Sequence, residues 1–140
     1  MGNIIQNSVI NKTSIPNLEK LLNLSATRHK LIASNIANVT TPGYKSKSMD
    51  FDTELKKALE PEKSPLNVTH ERHIPLSSSR HSLPEIKEAD YSENSTGINS
   101  VDVDSEMADL AQNQLVFELG ANLLTDKFNG LKSAIRGRAI

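Results

Sequence analysis

The histidines come closest, by type and spacing, to forming a chemical site in this chain. His70 and His73 are separated by two residues and His81 follows nearby, a grouping that could supply ligands to a metal such as Zn²⁺. The segment around them is typical of a loop or strand, where side chains three residues apart point to different sides, and the chain has no cysteine. We therefore expect surface or turn histidines and no metal site. His29 falls on an apolar helical stripe and is expected to be a half-buried packing residue.

No other group of residues predicts catalysis or a cofactor. None of the serines lies in the Gly-x-Ser-x-Gly elbow of a hydrolase, and the six glycines are too scattered to form a phosphate-binding loop. The acidic cluster from Asp102 to Asp109 lacks the loop pattern of a calcium site and fits the start of a helix better. We therefore predict a protein that is not an enzyme, has no catalytic or metal-binding residues and uses no cofactor.

Charge and hydropathy limit the classes of partner and the targeting route. The formal net charge is −1, so no general attraction to nucleic acid is expected, and no small-molecule substrate is predicted either. The N-terminus lacks the basic region and the unbroken apolar run of a Sec signal peptide. No apolar run approaches the ~20 residues that span a membrane. Aromatic residues make up only 4% of the chain, which argues against a thick globular core.

The longest element that the sequence predicts is a C-terminal helix. About the last forty positions carry a seven-residue repeat, with packing residues at alternating spacings of four and three. Such a repeat is typical of a helix that packs along another helix. We predict this helix from Val103 to Arg136, capped by Asp102 and ended by Gly137. The predicted packing positions are Val103, Met107, Leu110, Gln114, Phe117, Ala121, Leu124, Phe128, Leu131 and Ile135.

A shorter N-terminal helix is predicted from Pro16 to Asn38. Ser14 suits the N-cap and Pro16 the first turn, while Asn38 suits a left-handed C-terminal residue. Together the two helices predict a mainly α-helical fold in which the N- and C-terminal helices pack as an antiparallel coiled-coil hairpin. The C-terminal helix is some ten residues longer, which leaves surface for other subunits. The packing positions of the shorter helix are Leu18, Leu22, Ile32 and Ile36.

The segment that follows the first helix must change direction. The run Thr41-Pro42-Gly43-Tyr44 places proline and glycine at the second and third positions of a turn, which predicts type II geometry. Phe51 to Leu59 is expected to form a short helix capped by Asp50 or Asp52, and Leu66 to Thr69 to form a strand.

These elements divide the chain into three parts. We predict a flexible N-terminal segment at 1–15, a helical core built from 16–38 and 101–138, and an extended or irregular middle at 39–100. The middle segment is rich in proline, serine, glutamate and lysine, so only short β-strands are expected in it.

Three residues of the C-terminal helix depart from a plain apolar repeat. Gly120 and Gly130 each cost about 1 kcal/mol relative to alanine in a helix interior, which favours close approach by a neighbouring helix over neutral drift. Gln114 is polar at an apolar position. It either fixes the register of helix pairing or lies where the surface is wet.

The segment from Ala33 to Lys45 resembles the N-terminal signature of the bacterial flagellar axial proteins, the family of rod, hook and hook-associated proteins. The segments from Val101 to Met107 and from Phe128 to Ile135, together with Thr69 to Pro75, are similar to those of the proximal rod members. The segment from Thr96 to Asn99 departs from the Asp-Gly-Asn that the family often has. The motif residues are Asn35, Asn38, Thr41, Pro42, Gly43 and Tyr44.

This resemblance implies a structural subunit of the proximal rod of the flagellar basal body. Members of the family pair their N- and C-terminal helices, stack helically around an export channel and transmit torque. The resemblance implies as partners further copies of the chain, FliE, FlgC and other rod subunits, and the flagellar type III export gate. It also implies a location in the rod within the periplasmic space, reached by export without a cleaved signal peptide.

A soluble cytoplasmic coiled-coil adaptor or export chaperone is the alternative function. Such a protein also uses long apolar helix faces, but it has no use for the Thr41–Tyr44 turn. The turn therefore favours the rod subunit.

Overall fold

The computed structural model describes residues 14–60, 83–89 and 99–137. Two long helices pack against each other. Two short strands, which lie between these helices in the sequence, pair with each other. This confirms the predicted mainly α-helical hairpin with short β-strands in its middle segment. The elements in chain order are α1 (Ile15–Ala37), β1 (Lys47–Ser48), α2 (Phe51–Leu59), β2 (Lys87–Glu88) and α3 (Val103–Arg136).

Helix α3 begins and ends at the residues that the sequence predicts. The Asp102 side chain accepts hydrogen bonds from the backbone N–H groups of Asp104 (3.1 Å) and Ser105 (3.4 Å), two of the amides that a helix start leaves unpaired. Gly137 ends the helix at φ 66°, a left-handed conformation that glycine adopts without steric cost. The 34 residues of α3 form a rod about 50 Å long.

Helix α1 lies within one residue of its predicted bounds. Ser14 occupies the N-cap without a side-chain capping bond, and Pro16 lies in the first turn, where its missing N–H leaves no carbonyl unpaired. Asn38 is the C-cap, but its φ of −104° means that the expected left-handed conformation is wrong. Its side-chain amide instead donates to the carbonyl of Ser34 at 2.8 Å, which holds Asn38 in a right-handed turn.

The two long helices run antiparallel in a fixed register. In each contacting pair the two residue numbers add to nearly the same total, 137, 138 or 141. Residue numbers therefore rise along one helix in the direction in which they fall along the other. This register places Ile15, the first residue of α1, opposite about residue 125 of α3. The last turns of α3 therefore extend beyond α1. The pairs are Arg28 with Asp109, Ser25 with Asn113, and Leu21 with Gly120.

The chain leaves α1 through the predicted type II turn. Gly43 has a φ of 73°, and the N–H of Tyr44 donates to the carbonyl of Thr41 at 3.3 Å. Both features define this turn type, so the prediction is confirmed. The turn leads into the antiparallel pair of β1 and β2. The paired residues are Lys47 with Glu88 and Ser48 with Lys87.

Helix α2 confirms the predicted short helix and identifies Asp50 as its cap. The Asp50 carboxylate accepts hydrogen bonds from the hydroxyl (2.7 Å) and the backbone N–H (3.1 Å) of Thr53. These bonds, that of the hydroxyl first, hold the pKa of Asp50 below its ordinary value. The predicted strand from Leu66 to Thr69 lies outside the described residues, and the division of the chain into three parts stays a prediction.

The buried part of the described chain is as polar as it is apolar. Five apolar and six polar residues are buried, and every buried side-chain nitrogen or oxygen in the described ranges has a hydrogen-bond partner. Among the helices described, none has the length and apolar character needed to cross a membrane. The buried apolar residues are Ile15, Leu24, Ile32, Met49 and Val101; the polar ones are Ser25, Asn35, Glu54, Asn99, Ser100 and Asn113.

Candidate assembly surfaces and a polar clasp

Asn35, a residue of the predicted turn motif, joins the elements that meet at one end of the helix pair. Its amide nitrogen donates to the carbonyl of Lys47 and to the carboxylate of Glu106, both at 2.8 Å. Its oxygen accepts from the N–H of Lys47 at 2.9 Å and from the hydroxyl of Tyr44 at 3.2 Å. The Asn35 side chain is only 2% exposed, and both its donors and both its acceptor sites are used. It therefore ties α1 to the turn, to β1 and to α3.

Asn99 holds the same turn from the far end of the middle segment. Its amide nitrogen donates to the carbonyls of Asn38 (3.2 Å), Thr41 (3.4 Å) and Val39, and its oxygen accepts from the N–H of Val101 at 3.1 Å. Carbonyls at a helix C-terminus have no partner within the helix. Asn99 therefore caps the end of α1 from 60 residues away in sequence.

Sequence reasoning missed this role of Asn99. The residue entered the sequence analysis only as part of a departure from a family pattern, because nothing local predicts which carbonyls a distant side chain will reach. Ser100 completes the junction: its hydroxyl accepts from the N–H of Ser46 at 2.9 Å, and its N–H donates to the carbonyl of Tyr44 at 3.4 Å. We call this hydrogen-bonded group the polar clasp; its residues are Asn35, Tyr44, Asn99, Ser100 and Glu106.

A second buried polar contact fixes the register at the centre of the hairpin. The Ser25 hydroxyl donates to the side-chain oxygen of Asn113 at 3.0 Å, and the Asn113 amide donates back to the carbonyl of Ser25 at 3.0 Å. Ser25 is fully buried and Asn113 is 2% exposed. A shift of either helix by one turn would bury these groups unpaired, so the pair selects one register.

Arg28 connects all three helices next to that pair. Its guanidinium forms a 3.0 Å ion pair with Asp109 of α3 and lies 5.8 Å from the ring centroid of Phe51 in α2, within cation–π range. The ion pair is partly exposed, so we expect a modest contribution to stability from it. Its geometric effect is to place α2 beside the helix pair.

The fold opposes the ionisation of Glu106 in the clasp. Partial burial raises the pKa of its carboxyl above the ordinary 4.5, and the negative charges of Asp109 and Asp102 act in the same direction. The hydrogen bond from Asn35 and the charge of Arg28 oppose this rise. The clasp therefore holds the charged carboxylate at some cost and would accommodate a neutral side chain of the same shape.

Gly120 confirms the expected close approach of the two helices. A Cβ atom at this position would lie 2.9 Å from Cδ2 of Leu21 and 3.1 Å from Cδ2 of Leu22, closer than carbon atoms pack. A Cβ at Gly130 would meet no described atom within 4 Å. Close approach by a neighbouring helix therefore explains Gly120. Within the described chain, no contact accounts for Gly130.

Of the ten predicted packing positions of α3, four are half-buried and six are exposed. Asn113 and Gly120 are the buried residues of α3. Gln114 is exposed, and its side-chain amide bonds the Glu118 carboxylate at 3.1 Å, as expected if Gln114 lies on a surface in contact with water. The role of the ten positions in assembly stays a prediction. Leu110, Ala121, Leu124 and Leu131 are half-buried; Val103, Met107, Gln114, Phe117, Phe128 and Ile135 are exposed.

The other predicted site residues lie along α1 and in the turn that follows it. On α1, Ile32 is buried and the remaining predicted packing residues are half-buried. In the turn motif, Asn35 is buried, Asn38 and Tyr44 are half-buried, and the three residues between them at the tip are exposed. The half-buried packing residues are Leu18, Leu22 and Ile36; the exposed tip residues are Thr41, Pro42 and Gly43.

A row of leucines on α3 was missed by the sequence analysis. Leu115, Leu119 and Leu123 follow each other at spacings of four and are 68%, 61% and 43% exposed. A spacing of four residues places side chains on the same face of a helix. The sequence analysis followed the longer seven-residue repeat and did not single out this row. Large apolar side chains exposed in a row indicate a surface that another molecule covers.

The described residues contain no arrangement for metal chemistry. No group of three or more histidine, aspartate or glutamate side chains in these ranges could hold a metal ion. His29 is exposed, so the expectation of a half-buried packing residue is wrong. His70, His73 and His81 lie outside the described residues.

Comparisons with known proteins point to one family. A family model described as "Flagella basal body rod protein" matches residues 22–45, which comprise about the last two-thirds of α1 and the turn that the clasp holds. The chain is 36% identical over 126 residues to the flagellar basal body rod protein FlgB of Bacillus subtilis strain 168, covering 89% of this chain and 94% of that protein.

Two further relatives have the same description. The FlgB protein of Salmonella typhimurium strain LT2 is 32% identical over 124 residues, covering 85% of this chain and 90% of the relative. That of Escherichia coli K12 is 30% identical over 123 residues, covering 84% and 89%. The similarity thus extends well beyond the turn motif, over most of both chains.

Proposed function

Because the chain belongs to the FlgB family of flagellar basal body rod proteins, we propose that it is a structural subunit of the proximal rod. In this role it stacks helically around the export channel and transmits torque. A rod subunit needs a stiff body and surfaces for its neighbours rather than a reactive site. Both needs match the molecule: a polar clasp holds a long helical hairpin in one register, and α3 carries exposed apolar side chains along its length.

The exposed apolar side chains of α3 are the observation that carries this proposal. Eight large apolar side chains of α3 are at least 39% exposed, which is unfavourable for an isolated chain in water. Packing between subunits would remove these side chains from water. Because they lie on more than one side of the helix, they fit a subunit with several neighbours better than a simple dimer.

We also propose that the chain crosses the inner membrane through the flagellar type III export gate without a cleaved signal peptide, and assembles in the periplasmic space. Its neighbours there are further copies of the chain, FliE, FlgC and other rod subunits. The pairing of α1 with α3 supports passage in an unfolded state. Its hydrogen bonds join residues 71 to 88 positions apart, and contacts so distant in sequence form late and slowly.

Fractionation of basal bodies tests the proposed function. A strain that lacks the gene should not swim, and a plasmid copy should restore swimming and place the chain in purified basal bodies. The rod remains when the outer filament is removed, so the chain should stay in that fraction. A chain found only in the soluble cytoplasmic fraction would contradict the proposal and support the adaptor or chaperone instead.

A further inference from the structure

The last turns of α3 contain two neighbouring residues that can react with each other. Asn129 is followed by Gly130, and no other asparagine of the chain precedes a glycine. Asn129 is exposed, and a Cβ atom at Gly130 would meet no described atom within 4 Å. An accessible amide carbon thus lies next to a backbone nitrogen that no side chain of its own residue shields.

The reaction of such a pair needs only water. The backbone nitrogen of Gly130 attacks the side-chain amide carbon of Asn129 and loses its proton, and the amide nitrogen leaves as ammonia. The product is a succinimide ring. Water then opens the ring at either of its two carbonyl groups, which leaves aspartate or isoaspartate at this position. One water is consumed and one ammonia is released, so no oxidant or reductant takes part.

A closed helix prevents this attack. Asn129 and Gly130 lie inside α3, where the N–H of Gly130 points along the helix axis toward the carbonyl of Asp126, four residues earlier. The backbone at Asn129 must leave its helical dihedral angles before the Gly130 nitrogen can reach the side-chain carbon. The rate of the reaction is therefore set by how often this part of α3 opens.

Few contacts keep the last turns of α3 closed. The first residue of α1 lies opposite about residue 125, so the turns after it extend beyond the helix pair. No residue from 125 to 137 is buried, and Ile135 is 86% exposed. Gly130 itself makes the helix less stable than alanine would. Segments with few buried apolar contacts open locally at a much lower free energy than the whole chain unfolds.

We propose that Asn129 is a spontaneous modification site, which converts to aspartate and isoaspartate through local opening of the last turns of α3. Either product places a negative charge near the C-terminal end of a helix, where the helix dipole disfavours it. Isoaspartate also adds a methylene group to the backbone, and this breaks the regular spacing of helical hydrogen bonds. A chain that has reacted therefore loses the end of α3.

Mass spectrometry of the purified chain, kept in buffer at neutral pH, tests this site. Trypsin releases the peptide from Phe128 to Lys132, and its aspartate and isoaspartate forms are separated by chromatography. We expect both forms to accumulate in the folded chain, more slowly than in the chain unfolded in urea. Asn122 is an internal control: it is exposed in the same helix but is followed by Leu123, whose side chain hinders the attack, and it should stay unchanged.

Two matched substitutions show which part of the chain must open. Ala134→Gly and Ala108→Gly make the same change at exposed positions near the two ends of α3. Ala134→Gly should raise the rate at Asn129 about fivefold, the equivalent of the ~1 kcal/mol by which glycine weakens a helix. Ala108→Gly should leave the rate unchanged, because it weakens the opposite end. Circular dichroism checks that both variants fold.

Gly130→Ala tests the attacking atom. Its methyl group shields the backbone nitrogen, so this variant should form far less isoaspartate than the wild type, even when both are unfolded. Aspartate without isoaspartate in the wild type would overturn the proposal in favour of direct hydrolysis of the amide by water.

The dependence on local opening can fail in two ways. A rate that Ala134→Gly raises no more than Ala108→Gly does would overturn the proposal, because opening of the last turns would then not limit the reaction. A folded chain that stays unmodified while the unfolded chain converts would overturn it as well, since the last turns of α3 would then remain closed.

Discussion

The polar clasp and the leucine flank of α3, which consists of the exposed Leu115, Leu119 and Leu123, reverse the usual distribution of side chains. Asn35 in the clasp is 2% exposed, whereas Leu115 in the leucine flank is 68% exposed. In Asn35, both amide donors and both acceptor sites of the side chain are used inside one chain. The comparison teaches that directional polar contacts help to define the hairpin, while several large apolar side chains of α3 stay exposed.

Specificity is the physical reason for such a division. Apolar side chains tolerate sliding, since a leucine gains from almost any apolar partner. A buried asparagine tolerates only the register in which its partners are present, because an unpaired buried polar group costs about 1–3 kcal/mol. Asn35, Asn99 and Asn113 thus impose a register on two helices whose apolar residues alone would allow several.

The largest expected effect is on the clasp side of this comparison. Asn35→Ala removes four hydrogen bonds, so the backbone of Lys47 and the carboxylate of Glu106 lose their Asn35 partner. The Tyr44 hydroxyl keeps only its contact with Ser34. We expect the free energy of unfolding to fall by about 3–4 kcal/mol, measured by urea denaturation with circular dichroism. Asn23→Ala, at an exposed position of the same helix, is the matched control and should change it by less than about 0.5 kcal/mol.

Equal effects of these two substitutions would break the comparison. They would mean that the buried hydrogen bonds of the clasp contribute no more to the hairpin than a solvated asparagine does.

The two glycines of α3 provide the next largest contrast. Gly120→Leu forces a side chain into Leu21 and Leu22, and we expect a loss of about 2 kcal/mol from overpacking. Gly130→Ala meets no described atom within 4 Å and should instead stabilise the purified chain by about 1 kcal/mol, because alanine favours helix. Thermal unfolding of both variants measures this, and destabilisation by Gly130→Ala would reveal a neighbour within the chain.

Glu106→Gln tests the cost of ionising the clasp. Its raised folded-state pKa means that folding favours the protonated form. The stabilisation of the folded chain by the protonated carboxyl is complete below the ordinary pKa of 4.5. It is lost as the pH rises through the pKa of Glu106 in the folded chain. Glutamine keeps an acceptor for Asn35 without the charge, so it should stabilise the chain at pH 7, by less than about 1 kcal/mol.

Denaturation of the wild type and of Glu106→Gln at several pH values provides the measurement. The advantage of glutamine should shrink as the pH falls below 4.5 or so, because the wild-type carboxyl is then neutral as well. An advantage that grows on acidification would contradict the assigned direction of the pKa shift.

The smallest effect is expected on the flank side. Leu115→Gln replaces a leucine that is largely in water, and we expect the free energy of unfolding of the purified chain to change by less than about 0.5 kcal/mol. Leu24→Gln, at a position 8% exposed, should cost about 3 kcal/mol. Calorimetry compares the two directly. Similar losses would show that the leucine flank is covered within one chain, and the contrast with the clasp would disappear.

The sequence by itself determined the local elements. Asp102 and Gly137 set the ends of α3, Asp50 sets the start of α2, and Gly43 defines the turn. Each of these acts on backbone groups within about four residues of itself, through a cap or a left-handed φ. Such short-range chemistry can be read from neighbouring residues, and for that reason these predictions are confirmed nearly to the residue.

Only the tertiary structure decided which face of α3 meets α1. The repeat that begins at Val103 identifies a helix with a packing surface, but a helix that carries apolar residues on several sides does not specify which side its first partner takes. The choice was made by contacts between residues 71 to 99 positions apart: Asn35 with Glu106, Ser25 with Asn113, and Leu21 with Gly120. Hydrogen bonds and close approaches at that separation depend on the complete three-dimensional arrangement, which no local pattern encodes.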